Sequence, residues 1–339
     1  MEAEISEQKH LFRPKLKMFI RLVISGSLIT WLIYKIQWES ALQLMKGGNL
    51  VFFIAAFIAI QLTVASSVWK WQLLVHSSLK DNERHDTSYF KLWRYYYIGL
   101  FFNNFMPGSI GGDAMRIFYL GKRVGMPQAT ASVAFERLTS GIALTVIVLI
   151  SSLFMESVRP FMLPIFVVVS IIVVMMVILS WWMKRQTLQV DSGLVGTDDN
   201  QANRLLVGIN KVIQALCRIG NEAENYHYQG RIWWLIIGVL SLLFQIGLAW
   251  INRLLFLGFG IVLPWLDLIV IISLISFITM LPVSLNGMGV RETCYILFFK
   301  ELGVPDEIAV AVSLLFFIQV TISSLGGGLF LLFERRNPN

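Results

Sequence analysis

Long apolar runs alternate with short polar ones along nearly the whole chain. Six runs reach the roughly 20 residues a helix needs to cross a hydrocarbon core: 17–36, 50–75, 128–155, 161–183, 231–257 and 307–333. Two further apolar stretches are interrupted. Residues 89–121 break at "NNFMPGSIGG", and residues 266–302 break at "LPVSLNGMG". Each arm is about 12 to 18 residues long, short for a span and suited to a re-entrant segment. The pattern predicts an all-α polytopic membrane protein with about six spanning helices and two re-entrant helical hairpins. The short alternating segments of a membrane β-barrel are missing. The chain divides into a tail over 1–16, a membrane domain over 17–333 and a tail over 334–339.

Between 184 and 230 the chain turns polar, with Leu205, Leu206, Ile209, Val212, Ile213 and Leu216 at helical spacing. Two readings stand side by side: an amphipathic helix on the membrane surface, and a docked soluble helix. At the N-terminus Lys9, Arg13, Lys15, Lys17 and Arg21 precede the first apolar run. That run is too long for a signal-peptide core and lacks a small-residue exit, so it is expected to be retained.

Composition agrees with the pattern. Hydrophobic residues make up 56% of the chain and charged ones 14%, with a mean hydropathy of +0.67. Soluble domains carry about 25% charged residues. The net charge of +7 is scattered over helix ends, which argues for membrane topology and against a nucleic-acid partner. Lys80, Arg84, Lys91, Arg94, Arg116, Lys122 and Arg123 mark one side, together with the basic region 184–231 and Arg335 and Arg336. By the positive-inside rule these are cytoplasmic. Asp267, Glu301, Asp306 and Glu307 flank the second interrupted stretch, which then faces outward. The helix count places both termini inside. Cys217 and Cys294 show no CxxC spacing, and His10, His76, His85 and His227 are scattered, so neither a metal site nor a cofactor is indicated. Aromatic clusters such as "WRYYY" (93–97) are expected in interfacial belts.

The chain also repeats itself. "PGSIGGDAMR" from Pro107 aligns without a gap on "PVSLNGMGVR" from Pro282, pairing Ser109 with Ser284, Gly112 with Gly287 and Arg116 with Arg291. Farther on, "GMPQATASV" from Gly125 resembles "GVPDEIAVA" from Gly303, each opening a long apolar run. Three predicted spans lie between the hairpins, and an odd number inverts the second copy. Inverted repeats with broken helices near the midplane are common in alternating-access transporters.

The breaks carry the candidate chemistry. Non-helical backbone inside a membrane must be satisfied by protein or by a wet cavity. Pro107 stops the incoming helix, and Gly111 and Gly112 leave N–H groups able to face a ligand. A new helix is expected near Asp113, whose positive end favours an anion. Arg116, one turn in, has the fork geometry to hold phosphate or carboxylate oxygens. Asp113 is placed either to cap that helix or to pair with Arg116. Gly287, Gly289 and Arg291 repeat the equipment. Glu136 and Arg137 in 128–155, and Glu292 beside Arg291, are ionisable residues inside apolar runs, a functional signal by default. The two glutamates suit neutralising arginines in an empty site or exchanging protons. Asn103 and Asn104 suit lining a path. Arg253 belongs at the outer interface.

At these residues the sequence resembles the lysylphosphatidylglycerol synthase transmembrane-region family, also called flippase-like domain proteins. The similarity lies in "NNFMPGSIGGDAMRIFYL", in Glu136-Arg137 and in "LPVSLNGMGVRET", and covers roughly 15 to 333. It implies a lipid-translocating module in a prokaryotic cytoplasmic membrane. It also implies that Gly111, Gly112, Asp113, Arg116, Glu136, Arg137, Arg291 and Glu292 form the functional set. Asn286 replaces a residue that is commonly small in the family. Relatives act on aminoacylated phospholipids, or are linked to polyprenyl-phosphate sugars or hopanoids. With no soluble synthase domain behind the last apolar run, the chain is not expected to aminoacylate lipid itself. The expected partners are membrane lipids, an anionic phospholipid or a polyprenyl-phosphate lipid, with a second copy or a lipid-synthesising enzyme as possible companions. The rival readings are a membrane glycosyltransferase or other lipid-modifying enzyme, and a non-transporting partner of one. No DxD motif or His cluster supports the enzyme.

Overall fold

A computed structural model describes residues 47–79, 84, 87–104, 110–152, 226, 228–280 and 287–336. Among them are eight helices and no strand: α1 (Leu50–Ser77), α2 (Tyr89–Asn103), α3 (Ile110–Val124), α4 (Met126–Ser152), α5 (Arg231–Gly258), α6 (Trp265–Met280), α7 (Val290–Lys300) and α8 (Asp306–Arg336). Four of these are long and apolar enough to cross a membrane: α1, α4, α5 and α8. The predicted spans 17–36 and 161–183 and the loop 184–230 lie outside the described residues, as do both tails apart from Glu334, Arg335 and Arg336 at the end of α8.

The interrupted stretches become short helices on either side of a break. α2 and α3 have 15 residues each, α6 has 16 and α7 has 11. At 1.5 Å per residue these are about 16 to 24 Å long, less than the roughly 30 Å of a bilayer core. Each pair is followed by a long helix, α4 or α8. The junctions before those long helices share one backbone device. Gly125 and Gly303 both have positive φ, 97° and 75°, a conformation only glycine takes without strain. Pro127 and Pro305 stand two residues beyond them at the helix starts, where proline's missing N–H costs nothing.

The described residues fall into two compact units. Of the described residues, the first draws on those within 47–68, 93–116 and 242–336, and the second on those within 69–92 and 117–241.

Within the first unit, small residues and side-chain amides hold the helices together. Gly327 of α8 lies so close to α2 that an added Cβ would be 2.0 Å from the Tyr97 carbonyl oxygen. Tyr97 donates its hydroxyl to Gln61 Oε1, Gln61 Nε2 donates to Ser323 Oγ at 2.9 Å, and Asn104 Nδ2 donates to Ser324 Oγ at 2.6 Å. Gln319 Nε2 reaches the Phe53 carbonyl at 3.0 Å. Small residues that permit close approach, with polar bonds between helices, are how helices associate where lipid removes the hydrophobic drive.

These contacts fix relative directions. Trp93 meets Phe330, Tyr97 meets Gly327 and Asn104 meets Ser324, so α2 runs opposite to α8. α7 also runs opposite to α8, joined to it by a five-residue turn, with Glu292 meeting Ser313. α3 doubles back on α2, because Asn103 meets Gly112 while Arg116 lies over Tyr96. The two outgoing arms, α3 and α7, therefore point in opposite directions. α5 agrees: it runs with α7 (Asn252 on Tyr295, Phe256 on Phe299) and against α1 (Asn49 on Gly258, Thr63 on Gly247).

The second unit packs Leu74, Ala131, Tyr226 and Ile237 together, with Phe135 against the Tyr226 ring at 4.2 Å. Trp71 Nε1 donates to Ser132 Oγ at 3.1 Å.

One expectation about aromatic residues is corrected. In "WRYYY", Tyr95, Tyr96 and Tyr97 are buried, not interfacial, and Trp93 packs on Phe330. A short helix enclosed by others buries most of its circumference, so its aromatics serve packing.

Candidate head-group site

The first break is organised by Asn103, the last residue of α2. Its Oδ1 accepts the N–H of Gly112 at 2.7 Å, satisfying one of the orphan donors in the first turn of α3. α3 begins at Ile110, one turn earlier than the expected start near Asp113. Gly111 and Gly112 are thus helical and buried. At Gly112 the absent side chain allows close approach: a Cβ would lie 2.4 Å from the Gly99 carbonyl oxygen and 2.5 Å from Asn103 Oδ1. The expectation that this glycine frees its N–H for a ligand is corrected, since Asn103 takes that donor. Asn104, expected beside a path, bonds α8.

Arg116 lies in the second turn of α3 and is only 3% exposed. Its guanidinium stacks 4.4 Å above the Tyr96 ring, and its Nη1 lies 3.5 Å from Asp113 Oδ1. The aliphatic stem fills the space left by Gly99, where an added Cβ would be 2.9 Å from Arg116 Cγ. Asp113 accordingly pairs with Arg116 across one turn. Asp113 and the Tyr96 ring thus both engage the buried guanidinium, where desolvation raises the value of each contact.

The second break is built differently. α7 begins at Val290, five positions later than α3 does in the repeat alignment. Gly287, which aligns with helical Gly112, has φ +77° and lies in the turn before the helix. Its carbonyl accepts the Arg291 N–H at 2.8 Å, and its Cα faces Thr279 and the Arg291 guanidinium, with Nη2 3.3 Å from where a Cβ would stand. Gly289 is the N-cap, with its N–H held by Glu292 Oε2 at 2.7 Å. Glu292 Oε1 accepts Ser313 Oγ at 3.2 Å. Glu292 therefore caps its own helix, a role that its expected one, neutralising arginine, did not include. Arg291 is half-buried, with its guanidinium 5.7 and 5.6 Å from the Phe316 and Phe317 rings.

The structure places Asn103, Asn104, Gly111, Gly112, Asp113, Arg116, Gly287, Gly289, Arg291 and Glu292 in the first unit. Glu136 and Arg137 belong to the second. Ser109 and Ser284 lie outside the described residues, as do Pro107 and Pro282. Glu136 is buried, at 4% exposed, and Arg137 is half-buried.

Beside Glu136 stands a cation not counted among the candidates. Lys70 of α1 is 1% exposed, and its ammonium donates to Ser140 Oγ at 2.6 Å, to the Glu136 carbonyl at 3.3 Å and to Ser241 Oγ at 3.4 Å. The signal was available, since Lys70 is the only Lys, Arg, Asp or Glu in the 28 residues of α1. Gly99 and Gly327 left no such signal, because only the partner backbone reveals their role.

Helices of this length and composition define an integral multi-pass α-helical membrane protein. The chain belongs to the family of the lysylphosphatidylglycerol synthase TM region, which it matches over residues 18–327. It is similar to a UPF0104 membrane protein of Methanocaldococcus jannaschii, 24% identical over 88% of this chain and 89% of the relative. A UPF0104 membrane protein of Pyrococcus horikoshii is 20% identical over 95% of this chain and 98% of its own length. No solved structure matches.

Proposed function

We propose that the protein moves an anionic or zwitterionic lipid, a phospholipid or a polyprenyl-phosphate-linked lipid, between the leaflets of the membrane. The observation that carries this reading is Arg116. A guanidinium buried to 3% exposure, in the second turn of α3 beside the first break, is an ionisable group inside an apolar protein, which is a functional signal by default. Arg291 stands at the aligned position of the second break. The opposite directions of α3 and α7 support an inverted pair of hairpins, one reached from each side of the membrane. Membership of a family built around lipid synthesis supports a lipid substrate. The head group would be held by Arg116 or Arg291 while its tails stay among the lipid-facing helices. No chemical step on the lipid is assigned to the chain, and the cytoplasmic placement of both termini belongs to the same proposal.

The test is a reconstituted leaflet-exchange assay with fluorescent phosphatidylglycerol, phosphatidylethanolamine and a polyprenyl phosphate in separate vesicles. Exchange of at least one of them, about tenfold above protein-free vesicles, is the expected result. Baseline exchange of all three, with the protein folded and inserted, would instead favour the non-transporting partner.

A further inference from the structure

Arg253 is an anomaly on its helix. Along α5 the exposed residues Val239, Leu242, Leu243, Ile246 and Trp250 form one stripe at helical spacing, the face turned to lipid. Arg253 is the next residue on that stripe, half-buried and five positions before the helix ends at Gly258. Beyond the turn, Val262 and Leu266 are 71% and 68% exposed, so the surroundings are apolar. The guanidinium is nevertheless held in place. Its carbon lies 4.8 Å from the Trp265 ring centroid, and Nη1 donates to the Leu263 carbonyl at 3.0 Å. Trp265 in turn stacks on Trp250, with centroids 5.1 Å apart and planes 15° from parallel. Among the described residues no carboxylate lies within ion-pair distance of Arg253.

We propose that Arg253, with Trp250 and Trp265, binds the phosphodiester of a membrane phospholipid at the α5–α6 turn. The argument is one of donors and charge. A guanidinium has five N–H groups in a planar fork, and the turn uses one. The others make no hydrogen bond among the described residues, and Arg253 lies on an exposed apolar stripe at a helix end, the depth at which lipid phosphate is the abundant anion. The Trp265 ring beneath its carbon and the bond to the Leu263 carbonyl position the fork, whose geometry suits two phosphate oxygens at once. The site is outside the two helix breaks and does not depend on whether lipid is transported. A plain interfacial anchor would enrich an anionic lipid by screened charge alone, roughly fivefold, and the test reads whether the preference exceeds that.

Photoreactive benzoylphenylalanine replaces Val262 beside the site, and in a second protein it replaces Ile246 farther along the same stripe. Both are reconstituted in vesicles of equal parts phosphatidylglycerol and a phosphate-free diglucosyl lipid, and the crosslinked lipids are identified by mass spectrometry. The expected phosphatidylglycerol excess is about tenfold at 262 and about onefold at 246. With Arg253→Gln the excess at 262 falls to about onefold. An excess of about fivefold or less at 262 in the unsubstituted protein, an equal excess at both positions, or an excess unchanged by Arg253→Gln would overturn the site. The first two comparisons decide the matter even if that variant fails to fold.

Discussion

At Gly112 a single hydrogen in place of a methyl lets α3 approach α2. An added Cβ would meet the Gly99 carbonyl oxygen at 2.4 Å, and backbone cannot swing aside as a long side chain can. Gly112→Ala is therefore expected to cost about 1–3 kcal/mol, the usual range for forced overpacking. It should lower the thermal unfolding midpoint in detergent; an unchanged midpoint would show that the two helices are not in this register. The same residues show what a sequence can disclose at this scale. The breaks, Arg116 and its repeat at Arg291 were legible, because Pro, Gly and charge stand out in apolar chain. Asp113 was legible only as two alternatives, of which the ion pair is seen. Gly112's reason for being glycine was not legible, since it depends on Gly99, thirteen residues away in an unremarkable apolar run.

At the scale of elements, helix N-termini and crossings decide stability. Glu292 satisfies the N-cap amide of α7 and accepts a bond from Ser313 of α8. Glu292→Ala removes both contacts and is expected to cost about 1–3 kcal/mol, as for a lost cap or a buried group left unsatisfied. Glu292→Gln keeps an acceptor and should lose less; equal losses would count against the cap. Where α8 crosses α2, Gly327→Val would push the helices apart at the Tyr97 carbonyl. Detergent-solubilised protein should then unfold at a lower temperature, and one matching the parent would refute that crossing. The long helices were legible within a few residues: 231–257 against Arg231–Gly258, 128–155 against Met126–Ser152. Twenty-odd apolar residues leave little choice in a bilayer. The start of α3 was less legible, because Gly111 and Gly112 read as loop when their neighbours in space are unknown. The tyrosines of "WRYYY" misled for the same reason: an interfacial belt and a packed helix crossing use the same residue types.

For the whole molecule, the direction of the hairpins matters most. The opposed outgoing arms predict that the two breaks open to opposite sides of the membrane. With Cys217 and Cys294 replaced by Ser, Ser109→Cys and Ser284→Cys should label from opposite faces with an impermeant thiol reagent. Labelling from one face would make the repeat a parallel one. The odd number of predicted spans already pointed this way, while the junctions speak only to the likeness of the two stretches. Two left-handed glycines followed by proline, Gly125 and Gly303, open the long helix of each copy. The copies part company at the breaks themselves, where α7 starts later than α3 and is capped by its own glutamate. That asymmetry was not legible in the aligned pattern, which pairs Gly112 with Gly287 although only Gly112 is helical.

The central claim is that Arg116 and Arg291 hold the lipid head group during its passage. It is tested most directly by leaflet exchange in vesicles reconstituted with Arg116→Ala, Arg291→Ala and the unsubstituted protein, at matched insertion and matched unfolding temperature. Each substitution is expected to slow exchange at least about tenfold, the loss of roughly 1.4 kcal/mol of head-group binding at the barrier. Exchange at the parent rate in both folded variants would contradict the account.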